Sequence, residues 1–222
     1  MKIVCISDTH ADHRKVDVPD GDILLHAGDL THRGELSIVK DFNDWMGTLP
    51  HKHKIVIAGN HDFCFENHNS DSVKAKKLMT NCTYLQDESV TVEGIKIYGT
   101  PWQPWFYDWA FNLRRGDQCA RKWEQIPEDA DILVVHGPPY GHGDRTMSNE
   151  LVGGVQLLER IQALNLKLVV TGHIHEGYGL TREGNTAIAN ASICTHRYDP
   201  VNPPIVFDYE SGKMISPLSY GE

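Results

Sequence analysis

Apolar residues come along this chain in short runs: Ile3-Val4-Cys5-Ile6, Ile23-Leu24-Leu25, Ile55-Val56-Ile57-Ala58, Ile95-Lys96-Ile97-Tyr98, Ile132-Leu133-Val134-Val135 and Leu168-Val169-Val170. Each is rich in β-branched side chains and most are bounded by Gly, Asp or Asn, the pattern of buried strands. Helix-period stretches lie between several of them. Leu36, Val39, Phe42, Trp45 and Met46 share one stripe, and Val155, Leu158, Ile161 and Leu164 share another. A third helix is predicted over 118–125, stopping before Pro127. This alternation predicts an α/β architecture. In the last third, Thr186–Asn190 and 205–209 read as strands with no helix between them. They predict a second, partly antiparallel sheet and hence a sandwich of two mixed sheets flanked by helices. At 222 residues, the whole of 1–222 reads as one domain large enough to build a shaped cleft.

Polar residues follow directly on the apolar runs. The first run leads into Ser7-Asp8-Thr9-His10, the second into His26-Ala27-Gly28-Asp29, and the third into Gly59-Asn60-His61-Asp62. The fifth leads into His136-Gly137 and the sixth into Gly172-His173-Ile174-His175. In open α/β sheets, sites form beyond the carboxyl ends of the strands, so these residues are predicted to converge. Gly28, Gly59, Gly137 and Gly172 would let the backbone turn next to a crowded site. Asp8 and His10 are two apart, as are His173 and His175, and on extended backbone such pairs face one side. The candidate metal ligands are therefore Asp8, His10, Asp29, Asn60, His136, His173 and His175. Seven side chains exceed the four of a structural zinc site and suit two metals about 3.5–4 Å apart. Mixed imidazole and carboxylate donors suit Mn, Fe, Zn, Co or Ni better than Ca or Mg.

Composition narrows the function classes. A formal net charge of -9 disfavours sequence-independent nucleic-acid binding, which needs basic surface. Bound divalent cations would still make one cleft locally positive, so a phosphate substrate is not excluded. The 13 histidines are unusually many, and histidine is the commonest metal ligand. Cys5, Cys64, Cys82, Cys119 and Cys194 are scattered and form no C-x-x-C pair, which reads as reduced thiols in a cytoplasmic protein. Neither a transmembrane run nor a secretory signal is expected.

The blocks Asp8-Thr-His10, Gly28-Asp29, Gly59-Asn60-His61-Asp62, His136 and Gly172-His173-Ile-His175, in this order, resemble the calcineurin-like metallophosphoesterase superfamily. Phe42-Asn43-Asp44-Trp45, Pro101-Trp102-Gln-Pro104-Trp105-Phe106, His136-Gly-Pro138-Pro139 and His175-Glu176-Gly177-Tyr178-Gly179 are similar to its metallophosphoesterase-domain-containing phosphodiesterases. The resemblance implies a four-layer sandwich and a dinuclear-metal-dependent phosphoesterase activated by Mn²⁺. Its substrates would be small phosphodiesters of the cyclic-nucleotide type. It implies one metal on Asp8, His10, Asp29 and His175, with Asp29 bridging to a second on Asn60, His136 and His173. Hydrolysis would use a hydroxide between the metals. His61 would be the general acid, with Asp62 orienting its ring and keeping it protonated. A phosphomonoesterase or phosphoprotein phosphatase on the same metals is the first alternative. A non-catalytic scaffold is the second, disfavoured because all seven ligands and His61 are present.

Other features carry weaker expectations. The aromatic segment 102–109 is a candidate wall on which a nucleobase stacks, with Trp105 as its contact, or else a packing or subunit surface. Asn60 and His61 are further candidate substrate contacts. Gly141-His142-Gly143 reads as a flexible loop from which His142 could approach substrate. His51-Lys52-His53-Lys54 reads as a solvated turn, and His26 as either a core histidine or a support for the site. His13, Arg14, His32, His68 and His196 carry no assignment.

Overall fold

A computed structural model describes residues 1–210 and the backbone of 213–215. Its strands are β1 (Lys2–Ile6), β2 (Ile23–His26), β3 (His53–Val56), β4 (Thr83–Tyr84), β5 (Glu88–Val92), β6 (Ile95–Thr100) and β7 (Gln103–Pro104). They continue with β8 (Asn112–Leu113), β9 (Ile132–Val135), β10 (Leu168–Thr171), β11 (Gly179–Glu183), β12 (Thr186–Asn190), β13 (Ile205–Glu210) and β14 (Lys213–Ile215). The helices are α1 (Leu36–Thr48), α2 (Ser72–Leu78), α3 (Asp117–Trp123) and α4 (Val155–Ala163).

Two six-stranded sheets form the body, ordered β14-β13-β1-β2-β3-β4 and β11-β12-β10-β9-β6-β5. In the first, β1 to β4 are parallel and β13 runs antiparallel to β1. In the second, β6, β9, β10 and β12 are parallel, with β11 and β5 antiparallel at the edges. Both sheets are mixed, as expected. The assignment of the last strands is corrected, because β12 and β13 lie in different sheets. β12 extends the parallel set of the second, and the chain then crosses back so that β13 covers the free edge of β1.

The period-2 alternation of each strand divides its apolar residues between two cores. Ile3, Cys5, Ile23, Leu25, Ile55 and Ile57 face Ile95, Ile97, Ile132, Val134, Leu168 and Val170 between the sheets. The alternate residues Val4, Ile6, Leu24 and Val56 pack on Val39, Phe42 and Met46 of α1 and Ala75 of α2. On the far side, Leu133, Val135 and Val169 pack on Cys119 and Trp123 of α3 and Leu157 and Ile161 of α4. Four layers result. The stripe predicted for α4 is shifted in phase: Leu157 and Ile161, four apart, are its buried pair, and Val155 is 40% exposed. Because α4 rests on α3 as well as on the sheet, its inward row is set by both neighbours. Parallel strands from both sheets end at the same edge of the sandwich, and the polar loops follow there.

Candidate metal centre

The strand-end loops bring all seven predicted ligands together. Asp8, His10, Asp29, Asn60 and His136 are buried, and His173 and His175 are partly so. Two groups of donors form. In the first, His175 Nε2 lies 3.4 Å from Asp8 Oδ1 and 3.2 Å from His10 Nε2. In the second, Asn60 Oδ1 lies 2.9 Å from His136 Nε2 and 2.7 Å from His173 Nδ1. Asp29 sits between them, its Oδ2 3.7 Å from His10 Nε2 and 3.4 Å from His136 Nε2. Asp8–His10–His175 and Asp8–Asp29–His136 each offer three donor atoms within 4.8 Å of one another, and so does His10–Asp29–His61.

The backbone reaches this arrangement in a way the spacing argument missed. Asp8, His10, Asp29 and His173 have φ of 55°, 40°, 57° and 67°, in the left-handed region that side chains seldom adopt. The i, i+2 pairs therefore do not act through extended backbone. His173 and His175 point to opposite groups, one to Asn60 and the other to Asp8. The glycines are required chiefly for room. A Cβ on Gly172 would run into Asp8 Oδ2 and Ser7 Oγ, and one on Gly59 into Asp29 Oδ1.

Supporting bonds fix the rings. His136 Nδ1–H donates to Ala27 O at 2.8 Å, and His175 Nδ1–H to Thr195 O at 2.9 Å, so each Nε2 faces the cluster and is the nitrogen that would bind a metal once deprotonated. Ser192 Oγ lies 2.8 Å from both Asp8 Oδ2 and Asn190 Oδ1, with one hydrogen to give to either, and the His173 amide donates to Asp8 Oδ1 at 3.0 Å. The His61 amide donates to Asp29 Oδ1 at 2.8 Å. His26 proves to be a satisfied core histidine that also steadies the site: it bonds Thr9 Oγ1 at 3.1 Å and accepts from the Gly28 amide at 3.2 Å.

Electrostatics favour cations here. Burial works against ionisation of Asp8 and Asp29, yet His175 beside the first and His136 beside the second hold both below the usual carboxylate range. Burial works against charge on His136 and His175 too, but Asp29 and Asp8 push them up to about 9. Burial pulls His10 down to about 4 and His173 down to about 3. Two carboxylates, one amide oxygen and four imidazoles, converging with their N and O atoms inward, are a donor set for divalent transition-metal ions.

Asp62 is corrected. It does not touch the His61 ring, whose Nδ1 donates instead to His32 O at 2.8 Å. Its buried carboxylate accepts from the amides of Gly59 at 2.8 Å, Thr31 at 2.9 Å and Leu30 at 3.1 Å, and from Thr31 Oγ1 at 2.8 Å. Burial, and then the charge of Asp29, push it up to about 6. Asp62 thus ties the loop after β2 to the loop after β3, keeping Asp29 and Asn60 in register. His142 is also corrected: its ring bonds Thr181 Oγ1 at 3.0 Å and Glu183 Oε2 at 3.2 Å, away from the cluster. His51 is buried and His53 and Lys54 belong to β3, so that stretch is not a solvated turn.

A cavity of about 310 Å³ opens on the cluster, reaching Asp29, Asn60, His61, His173 and His175. Trp105, Phe106, Arg115, Thr146, Val152 and Gly153 also line it. Tyr198, which sequence reasoning missed, stands at its mouth with its ring 4.8 Å from that of His10 and 5.3 Å from that of His175. It comes from an irregular loop after β12, where no local pattern marks it.

Residues 1–177, which carry the whole ligand set, fit the family model for calcineurin-like phosphoesterases. The chain belongs to that family. Within it, the chain is 48% identical over 229 residues to metallophosphoesterase domain-containing protein 1 of Homo sapiens, covering 93% of this chain and 70% of that protein. It is 41% identical over 227 residues to a UPF0046 protein of Caenorhabditis elegans, covering 94% and 80%. Two solved structures share the fold. One is a protein of Thermus thermophilus at TM-score 0.60 and 14% identity, covering 85% of this chain and 88% of that one. The other is an archaeal phosphodiesterase at TM-score 0.52 and 17% identity, covering 97% and 98%. The family is metal-dependent, which agrees with the donor set. No helix among the described residues is long and apolar enough to cross a membrane.

Proposed function

We propose that this chain is a phosphodiesterase that hydrolyses small, cyclic-nucleotide-type phosphodiesters on two divalent metal ions, manganese foremost. The observation that carries the reading is the pair of donor groups joined through Asp29 at the floor of the cavity. Asp8, His10 and His175 would hold one ion and Asn60, His136 and His173 the other, with Asp29 shared. Such ions supply Lewis acidity, activating water and neutralising charge on the phosphoryl group.

The remaining work falls to the chain. His61 faces the cavity with Nδ1 committed to a backbone carbonyl, so Nε2 is the atom that would deliver a proton to a leaving oxygen. The Asn60 amide, besides its place among the donors, lines the cavity where a phosphoryl oxygen would lie. Trp105, 56% exposed, and Phe106 offer apolar ring faces for an organic substituent, which suits a diester better than a bare monoester. A fold shared with an archaeal phosphodiesterase supports the same reading. We place the reaction in the cytoplasm, on the strength of five free thiols and no disulfide among the described residues.

The test is turnover of bis(4-nitrophenyl) phosphate against 4-nitrophenyl phosphate, after metal analysis and reconstitution with Mn, Fe, Zn, Co or Ni. The diester is expected to be preferred by about tenfold or more in kcat/KM. Preference for the monoester would replace this reading with a phosphatase, and inactivity with every metal would support a scaffold.

A further inference from the structure

The His61 imidazole is bounded on three sides. Its Nδ1 donates to His32 O, and the ring of His10 meets it edge-on at 4.6 Å. One face stacks on the indole of Trp109, with centroids 4.1 Å apart and planes 28° apart. Among the described residues no hydrogen bond ends on His61 Nε2. Trp109 is itself braced. The Arg33 guanidinium lies 4.9 Å from its ring centroid, and the Phe63 ring lies 5.9 Å away. Its carbonyl accepts from Asn112 Nδ2 at 2.8 Å, and the next residue, Ala110, donates its amide to Asn60 O at 3.1 Å. The indole is thus fastened through main chain to the turn that carries His61. Unlike Trp105 and Phe106, it does not line the cavity.

We infer that Trp109 is a positioning residue: its indole fixes the plane of His61 so that Nε2 points at the leaving-group oxygen. The inference rests on His61 being the proton donor. A hydrogen bond at Nδ1 fixes one point of the ring but leaves rotation about it. A stacked ring removes that freedom, and a proton is transferred well only along a short, aligned path. Trp109 therefore takes the orienting half of the role expected of Asp62, not the half that keeps the ring protonated.

The test uses methyl 4-nitrophenyl phosphate, whose leaving group needs little protonation, and methyl phenyl phosphate, whose leaving group needs it. Trp109→Leu is expected to lower kcat on the phenyl ester about tenfold or more and on the nitrophenyl ester less than about twofold. KM and the content of both metals should hold, and Trp109→Phe should restore most of the loss. In a His61→Ala background, Trp109→Leu should cost nothing further. Equal losses on both esters, loss of metal, a Phe variant no better than Leu, or additive effects would each overturn the inference. His61→Ala separates the levels. If it fails to discriminate the esters, the proton-donor reading falls and takes the positioning role with it. If it discriminates while Trp109→Leu does not, only the positioning role falls.

Discussion

The donor loops and the aromatic segment meet at one cavity but differ in what they bury: the first its polar side chains, the second little of its rings at 105–107. The donor loops are buried and fixed by main chain: left-handed turns at Asp8, His10, Asp29 and His173 and amides donated to Asp8, Asp29 and Asp62. Segment 102–113 is closed by the short β7–β8 pairing, with amides of Gln103 and Trp105 donating to Phe111 O and Leu113 O, and by two side chains. Gln103 Nε2 donates to Ala110 O, and Asn112 Nδ2 to the carbonyls of Tyr107 and Trp109. Its rings at Trp105, Phe106 and Tyr107 are exposed. On the function proposed above, the first region would carry the chemistry and the second the selectivity. The first region leaves little room for substitution, whereas the second could exchange its exposed rings at Trp105 and Tyr107 while Trp109 keeps its stack on His61.

Four perturbations probe that division. Gly172→Ala forces a methyl group into Asp8 and Ser7, and activity should fall by on the order of a hundredfold or more, with metal content reduced. Metal analysis and kcat together check it; a variant retaining both metals and near-normal turnover would show the donor loops to be pliable. Asp62→Ala should cost roughly 3 kcal/mol, since three buried amides and a hydroxyl lose their acceptor. Urea unfolding reads this directly, and a loss well under 1 kcal/mol would mean that the two loops hold without it.

Metal affinity should depend on pH through His136 and His175. Their nitrogens, pushed up to about 9 by Asp29 and Asp8, must release protons before they bind metal. Affinity should therefore rise between pH 6 and 8, by up to about tenfold per pH unit for each proton released. Titration calorimetry in buffers of different ionisation enthalpy would count those protons, and a count of zero would show that neither nitrogen carries a proton before the metal binds. On the other side, Trp105→Ala should raise KM for a nucleotide diester up to about tenfold while sparing a nitrophenyl diester. Equal effects on both would deny the segment its selective role.

Much of the donor region was legible because its signal is local: an apolar run, then Asp, His or Asn. What escaped was the conformation. Nothing in Asp8 or His10 announces a positive φ, so the correct residues were grouped by the wrong geometry. Asp62 was misread because its partners are backbone amides of Leu30 and Thr31, which carry no residue signature. Ser192, Thr195 and Tyr198 follow β12 in a loop with no repeating pattern. β13 could not be assigned to a sheet, since an alternating strand reads the same in either, and only the free edge of β1 decides. His142, between two glycines, read as mobile, but Asn190 Nδ2 holds the Gly143 carbonyl at 2.8 Å.

The pairing of β13 with β1 has a consequence for how the molecule comes into being. Lys2 pairs with Asp208 and Cys5 with Ile205, and Ser7 bridges to Ser192. Asp8 stands just beyond that seam and takes bonds from His173 and Ser192. The donor earliest in the chain would therefore be among the last to be fully seated, because these two partners lie 165 and 184 residues further on. Loops this long are closed late and slowly. A nascent chain would hold its first carboxylate and histidine without the partners that make them bind metal tightly, and metal capture would mark the completion of folding.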